Sequence, residues 1–154
     1  TNALLNGETG YTMLRNGPLK KANVTVVSNP GFFIDNAAMY IKYYGDRVNC
    51  MFPLKSYLDK GIITAIGSDT PVIEPDPMIG IYTAVKRADS AGTVAGACQQ
   101  IGIMDAIRMY TCNGAYASLE EDIKGTIETG KLADFVVTNA DYTQKRVFIG
   151  GKEI

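Results

Sequence analysis

The sequence predicts an α/β fold in which strands and helices alternate before giving way to a small antiparallel β unit. Three observations predict it. The apolar, β-branched run Gly61-Ile62-Ile63-Thr64-Ala65-Ile66-Gly67-Ser68 fits a buried parallel strand and runs straight into Asp69. Segments with helical spacing of apolar residues flank that run, at 32–44 and 103–118. From Gly125 onward, short apolar strands are separated by glycine turns.

Taken in order, residues 1–17 are rich in Asn, Gly and Thr, with a short helix expected at 11–14 before Gly17-Pro18. Val24-Thr25-Val26-Val27-Ser28 is a compact β-branched strand. Asn29-Pro30-Gly31 stops it, because these residues favour turns and proline cannot donate to a ladder. A helix is expected within 32–44, with Gly45 as its C-cap. A shorter one follows at 53–61, with proline in its first turn and glycine past its end. The strand at 60–68 comes next. Pro71, Pro75 and Pro77 stiffen the loop at 70–77, and Asp76-Pro77 opens a helix at 78–88 that buries Ile79, Ile81, Tyr82 and Val85. Residues 89–97 read as a small-residue linker. The strongest helical pattern, 103–118, puts Ile103, Ala106, Ile107, Tyr110 and Thr111 on one face, and Gly114 weakens it enough to split it. Strands at 135–138 and 146–149 and the Gly150-Gly151 turn complete the antiparallel unit. No internal repeat is present.

Composition narrows the function. The chain has 154 residues, fewer than the roughly 200 or more of a complete eight-stranded barrel. Its 15 basic and 16 acidic residues leave a net charge of −1, which supports neither nucleic-acid binding nor a polybasic membrane surface. No apolar run approaches the roughly 20 residues of a spanning helix. Residues 1–7 have neither the charge nor the apolar stretch of a signal peptide and no initiator Met, so a processed, trimmed or excised start is expected. Cys50, Cys98 and Cys112 are scattered, and read as reduced, mostly buried thiols of a cytoplasmic protein. Histidine is absent altogether.

Three stretches together resemble one family. Gly67-Ser68-Asp69-Thr70-Pro71-Val72 with Asp76-Pro77-Met78-Ile79-Gly80-Ile81-Tyr82 and Arg87 resembles the end of the metal-dependent amidohydrolase barrel. Ala106-Ile107-Arg108-Met109-Tyr110-Thr111-Cys112-Asn113-Gly114-Ala115-Tyr116-Ala117 is similar to its closing helix. Gly125-Thr126-Ile127-Glu128-Thr129-Gly130-Lys131-Leu132-Ala133-Asp134-Phe135-Val136-Val137 is similar to the exit into the family's β-sandwich, and Val147-Phe148-Ile149-Gly150-Gly151-Lys152 to that sandwich's closing strand and turn. The subgroup resembled is the amidohydrolase-3 type, which includes proteins like N-substituted formamide deformylase.

The resemblance implies a partial (β/α) TIM-like barrel, its last βα units in residues 1–123, followed by sandwich strands in 124–154. It implies hydrolysis of a non-peptide carbon–nitrogen bond in a small amide or formamide, at one or two zinc-type divalent metals. By the motif match Asp69 is the family's catalytic and metal-binding aspartate. Asn29, Pro30 and Asp76 are candidates for the substrate pocket. The family's histidine ligands have no counterpart here, so the chain is expected to be an inactive C-terminal portion that binds no metal alone. It is expected to pair with itself or with the missing barrel portion, because incomplete sheets leave edges open. Two other readings stand beside this one. One is a non-catalytic binding or assembly module on the same scaffold. The other is an enzyme in which Asp69 with Glu74 or Asp76 holds a hard cation. Ser68 and Thr70 are expected to serve the turn, and Lys131 and Asp134 to hold the turn before Phe135.

Overall fold

Residues 24–141 and 145–154 are described by a computed structural model; the expected helix at 11–14 lies outside them. Strands β1 (Val26–Ser28) and β2 (Thr64–Ile66) are parallel, with Val26 opposite Thr64 and Ser28 opposite Ile66. A parallel pair needs a crossover. Here it runs through a 3₁₀ turn at Pro30–Phe32, helix α1 (Phe33–Tyr44), a second 3₁₀ segment at Gly45–Cys50 and helix α2 (Leu54–Asp59). The β2 ladder is shorter than the apolar run around it because its partner is short. Asn29-Pro30 ends β1, although Val26 N–H to Ile63 O and Gly67 N–H to Ser28 O, both 3.0 Å, carry the bonding one residue past each end.

Helix α3 (Pro77–Lys86) begins at Asp76, whose Oδ1 accepts the Met78 N–H at 2.9 Å. That bond satisfies one of the donors a helix start leaves orphaned. Ile81, Thr83 and Ala84 are its buried side chains, whereas Tyr82, expected inside, is 40% exposed. Gly80 is required on this face, since a Cβ there would collide with the Tyr110 hydroxyl. The main core joins Val26, Leu54, Tyr57, Ile62, Ile66, Ile81, Ala84, Ile101, Ala106 and Met109.

The 103–118 pattern splits into α4 (Ile103–Tyr110) and α5 (Cys112–Ala117), with the break at Thr111 rather than Gly114. Two bonds account for the position. Thr111 Oγ1 donates to the Ile107 carbonyl at 2.9 Å, a back-bond that bends helices. Asn113 Nδ2 donates to the Thr64 carbonyl at 2.9 Å, turning α5 onto β2.

Residues 89–97 are more ordered than a linker. Asp89 Oδ1 accepts the N–H groups of Ala91 (3.1 Å) and Thr93 (2.7 Å), and an isolated bridge pairs Ala88 with Val94. These bonds, the one from Thr93 foremost, hold the Asp89 carboxyl below the usual carboxylate range.

Arg87 closes α3 at φ +53 and is fully buried, and among the described residues no carboxylate pairs with it. Carbonyls take its place. Nε donates to Ala95 and Gly96 (3.1 and 3.2 Å), Nη1 to Phe52 (3.2 Å), and Nη2 to Met51 and Val48 (2.9 and 3.4 Å). The guanidinium carbon lies 4.0 Å from the centroid of the Phe33 ring. Burial pushes the pKa of Arg87 down to about 10.

The antiparallel unit has the order β3 (Phe135–Thr138), β4 (Lys145–Ile149), β5 (Lys152–Glu153). Gly150 and Gly151, at φ +57 and +77, form the two-residue hairpin loop that requires left-handed backbone. Asp134 Oδ1 accepts the Gly150 N–H at 2.8 Å. Lys131 Nζ donates to Glu121 O (2.7 Å) and Thr126 Oγ1 (2.8 Å) and holds the turn as expected, whereas Asp134 ties its side chain to the last hairpin instead. The three thiols are free, but they are not the buried thiols expected: Cys98 is exposed, and Cys50 and Cys112 are half-buried.

Replacing Arg87 by Met should lower unfolding free energy by at least about 3 kcal/mol, because it orphans several buried carbonyls at once. Replacement by Lys should recover only a minor part, since a point donor cannot span two loops. Urea denaturation reads both; an Arg87→Met protein as stable as the wild type would remove Arg87 from its structural role.

Candidate functional site

Asp69 stands three residues past the end of β2, at that strand's carboxyl tip, and is exposed. Its φ is +59, a left-handed value that aspartate tolerates better than most residues. The turn around it is pinned on both sides. Val72 N–H donates to the Asp69 carbonyl at 2.9 Å, with the Thr70–Pro71 peptide cis. The Ser68 and Thr70 hydroxyls lie 2.7 Å apart, and Thr70 Oγ1 donates to the carbonyl of buried Ile73 at 3.0 Å. Ser68 and Thr70 thus serve the turn. Among the described residues, the Asp69 carboxylate has neither a hydrogen-bond nor an ion-pair partner.

Asn29 occupies the matching tip of β1. The amide orientation that satisfies its neighbours puts Nδ2 3.2 Å from the carbonyls of both Gly67 and Ser28, tying one strand tip to the other. Pro30 is fully buried in the 3₁₀ turn that follows. A Cβ on Gly31 would lie 3.4 Å from Ile73 Cγ2, so this turn packs against the far end of the Asp69 loop. Asn29 and the Asp69 turn are thereby brought to one place, with Pro30 beneath the surface.

Asp76 is engaged elsewhere. Besides capping α3 it meets Lys145 Nζ at 3.2 and 3.3 Å. The Met78 N–H, and then Lys145, hold its carboxyl below the usual range. Asp69, Glu74 and Asp76 do not assemble a hard-cation site: no group of three or more His, Cys, Asp or Glu residues suited to a metal occurs among the described residues. Catalytic zinc needs three protein ligands, and a lone carboxylate does not fit that requirement.

A cavity of about 950 Å³ lies away from Asp69, between α3, α4 and α5 on one side and β3 and β4 on the other. Ile103, Ile107, Tyr110 and Thr111 line it. The apolar stripe read from the α4 sequence therefore faces this space, apart from Ala106, while Ala106 and Met109 enter the core. Burial, then the negative charge of Asp76, pushes the Tyr110 hydroxyl up to about 12. Sequence reasoning missed this cavity and the Arg87 cluster, since helical period marks an apolar face but not what lies opposite it.

The family model described as "Amidohydrolase family" matches residues 18–147. The chain belongs to the amidohydrolase family. It is 32% identical over 120 residues to the N-substituted formamide deformylase of Arthrobacter pascens, covering 77% of this chain and 22% of that protein. A solved structure of an uncharacterized metal-dependent hydrolase from Pyrococcus horikoshii OT3 superposes with a TM-score of 0.67 at 26% identity, covering 79% of this chain and 25% of that one. An amidohydrolase from Thermotoga maritima MSB8 shares the fold, with a TM-score of 0.65 at 21% identity, over 94% of this chain and 35% of that one. This amidohydrolase-family chain spans about a fifth of the curated relative's length.

The Asp76 carboxyl has a depressed pKa when folded, so its charge stabilises the fold above the unfolded carboxylate value, and that contribution fades as pH falls through the folded value. Asp76→Asn keeps the cap and loses the charge. The gap between wild type and this variant should be under about 1 kcal/mol at neutral pH, because the pair is exposed, and should close on acidification. A gap independent of pH in urea titrations would contradict this.

Proposed function

We propose that this chain is the carboxyl-terminal part of a metal-dependent hydrolase acting on non-peptide carbon–nitrogen bonds, with an amide or formamide as its small-molecule substrate. The observation that carries the reading is the exposed carboxylate of Asp69, unpartnered among the described residues, at the carboxyl tip of a parallel strand and held in a pinned turn at positive φ. Strand tips on that side are where barrel enzymes place their chemistry. In this reading residues 1–123 end a (β/α) barrel and residues 124–154 supply sandwich strands. Asp69 accepts a proton from the attacking nucleophile and delivers it to the departing nitrogen, the work of a general acid–base. Asn29 keeps the neighbouring strand tip in place beside it.

The complete site needs imidazoles that these 154 residues do not contain. The chain alone is therefore inactive and holds no zinc-type ion. The outer edges of β1 and β2 receive either a second copy or the polypeptide that brings those imidazoles. No helix among the described residues is long and apolar enough to cross a membrane. We assign the protein to the cytoplasm on its three unpaired thiols. One observation favours a second reading, a non-catalytic binding module: the cavity is lined without Asp69.

Metal analysis and formamide and amide hydrolysis assays on the purified chain should find neither bound zinc nor turnover. Supplying a family polypeptide with a His-x-His pair should restore hydrolysis, and Asp69→Asn should then lower the rate about 10²–10⁴-fold with little change in stability. Stoichiometric zinc with turnover in the chain alone would overturn the proposal; tight ligand binding without restored turnover would favour the module.

A further inference from the structure

Two thiols stand on the two loops that Arg87 joins. Cys50 ends the 3₁₀ segment Gly45–Cys50, and Cys98 is the middle residue of another 3₁₀ turn, Ala97–Gln99. Both loops are anchored. Val48 and Met51 give their carbonyls to Arg87 Nη2, at 3.4 and 2.9 Å. Gly96 gives its carbonyl to Arg87 Nε at 3.2 Å, and Gln99 Oε1 accepts the Ser56 N–H at 3.1 Å. Each cysteine therefore lies between two residues that are held in place.

The loops meet at these cysteines. The Cys98 thiol donates to Asn49, with Sγ 3.6 Å from Oδ1 and 3.9 Å from the backbone carbonyl oxygen. That carbonyl carbon is bonded to the Cys50 nitrogen, so planar peptide geometry puts the Cys98 sulfur within about 7 Å of the Cys50 Cα. Disulfides join Cα atoms about 4.4–6.8 Å apart, which brings the two residues into closing range by side-chain rotation and a small approach of the turns. Cys98 is exposed and Cys50 is half-buried behind it. Arg87 adds a charge. Burial lowers its pKa first, and the charge of Cys98 then acts in the opposite direction. The thiolate is the nucleophilic form of cysteine, and here it has a fixed cation within electrostatic reach. Cys112 stands apart on α5, its Sγ 3.6 Å from the Arg108 carbonyl.

We infer that Cys98 and Cys50 are a redox modification site: a hydroperoxide converts them to a reversible disulfide that fastens the two loops Arg87 holds. The Cys98 thiolate attacks a peroxide oxygen, the O–O bond breaks, and hydroxide leaves; sulfur is oxidised to the sulfenic acid and the peroxide is reduced. The Cys50 thiolate then attacks the Cys98 sulfur. The S–S bond forms, the S–O bond breaks, and a second hydroxide leaves. The two thiol protons turn the two hydroxides into water. A dithiol reverses the bond by exchange, taking the disulfide onto itself and returning both protons. Disulfides of cytosolic proteins are characteristically of this transient, sensing kind. The bond would span the same gap as the guanidinium, so oxidation reinforces a contact already present. This inference does not rest on the hydrolase reading, and both loops lie within the described residues.

Titrating the dilute, reduced chain with hydrogen peroxide and quenching by alkylation tests it. The intact mass should fall by two hydrogens, and a non-reducing tryptic digest should join peptide 48–55 to peptide 88–108, while peptide 109–124 keeps an alkylated Cys112. In Cys50→Ser the Cys98 sulfenic acid should persist and be captured by a cyclic 1,3-dione; in Cys98→Ser, Cys50 should stay a thiol at the same dose. The urea midpoint of the oxidised wild type should exceed that of the reduced protein, and oxidation should return part of the midpoint that Arg87→Met loses. Three alkylated thiols throughout the titration overturn the inference. So do a link to Cys112, a Cys98 that stops at an oxyacid in the wild type, and a wild-type midpoint that oxidation leaves unchanged or lowers. The wild-type peptide map and midpoint decide even where a variant fails to fold.

Discussion

A guanidinium buried among carbonyls sets the geometry on which the rest of the structure depends. Arg87 ends α3 and reaches two loops at once, the one through Val48, Met51 and Phe52 and the one through Ala95 and Gly96. Burying a charge without a counter-ion is costly. The cost is offset by carbonyl dipoles around the planar fork and by the Phe33 ring beneath it. The crowding also fixes Gly96: a Cβ there would lie 2.7 Å from Arg87 Nη2 and 2.8 Å from the Val48 carbonyl, at a φ of +65. With α3 fastened at its C-terminal end, Asp76 fastens its start, and the loop from β2 to α3 is held at both ends. Asp69 stands in that loop. Its turn is held locally by the Val72, Ser68 and Thr70 bonds.

Much of this was legible in the sequence where backbone chemistry is local. Asn29-Pro30 ends β1, Gly45 caps α1, Asp76-Pro77 starts α3 and Gly150-Gly151 turns the last hairpin, because proline and positive-φ glycine act within a few residues. The readings that failed depended on distant partners. Tyr82 is outside and Thr83 inside because the buried face of α3 is set by Arg87 and the core beneath it. The break at Thr111 answers to Thr64, 47 positions earlier in the chain, through neighbouring Asn113. Residues 89–97 read as a linker because the bonds that order them converge on one carboxylate, Asp89.

The candidate site was legible to a similar extent. A β-branched run ending in a carboxylate points to Asp69 without further help, and the turn chemistry of Ser68 and Thr70 follows from their hydroxyls. The absence of histidine was equally plain. Asp76 was harder to assign, because an aspartate before a proline can cap a helix or face a ligand; it caps α3 through Met78 and pairs with Lys145, and it also lines the cavity. On the proposed reading, what remains is a positioned acid on a family scaffold, without the imidazoles that such a site would need.

On the proposed hydrolase reading, Asp69 shares an ion with ligands from outside these 154 residues. Anomalous diffraction at the zinc edge, on crystals of the chain joined to a polypeptide bearing the paired histidines, tests it most directly. A zinc peak about 2.0–2.2 Å from an Asp69 carboxylate oxygen is the expected result. A fully liganded zinc with the Asp69 side chain remote from it would contradict the claim.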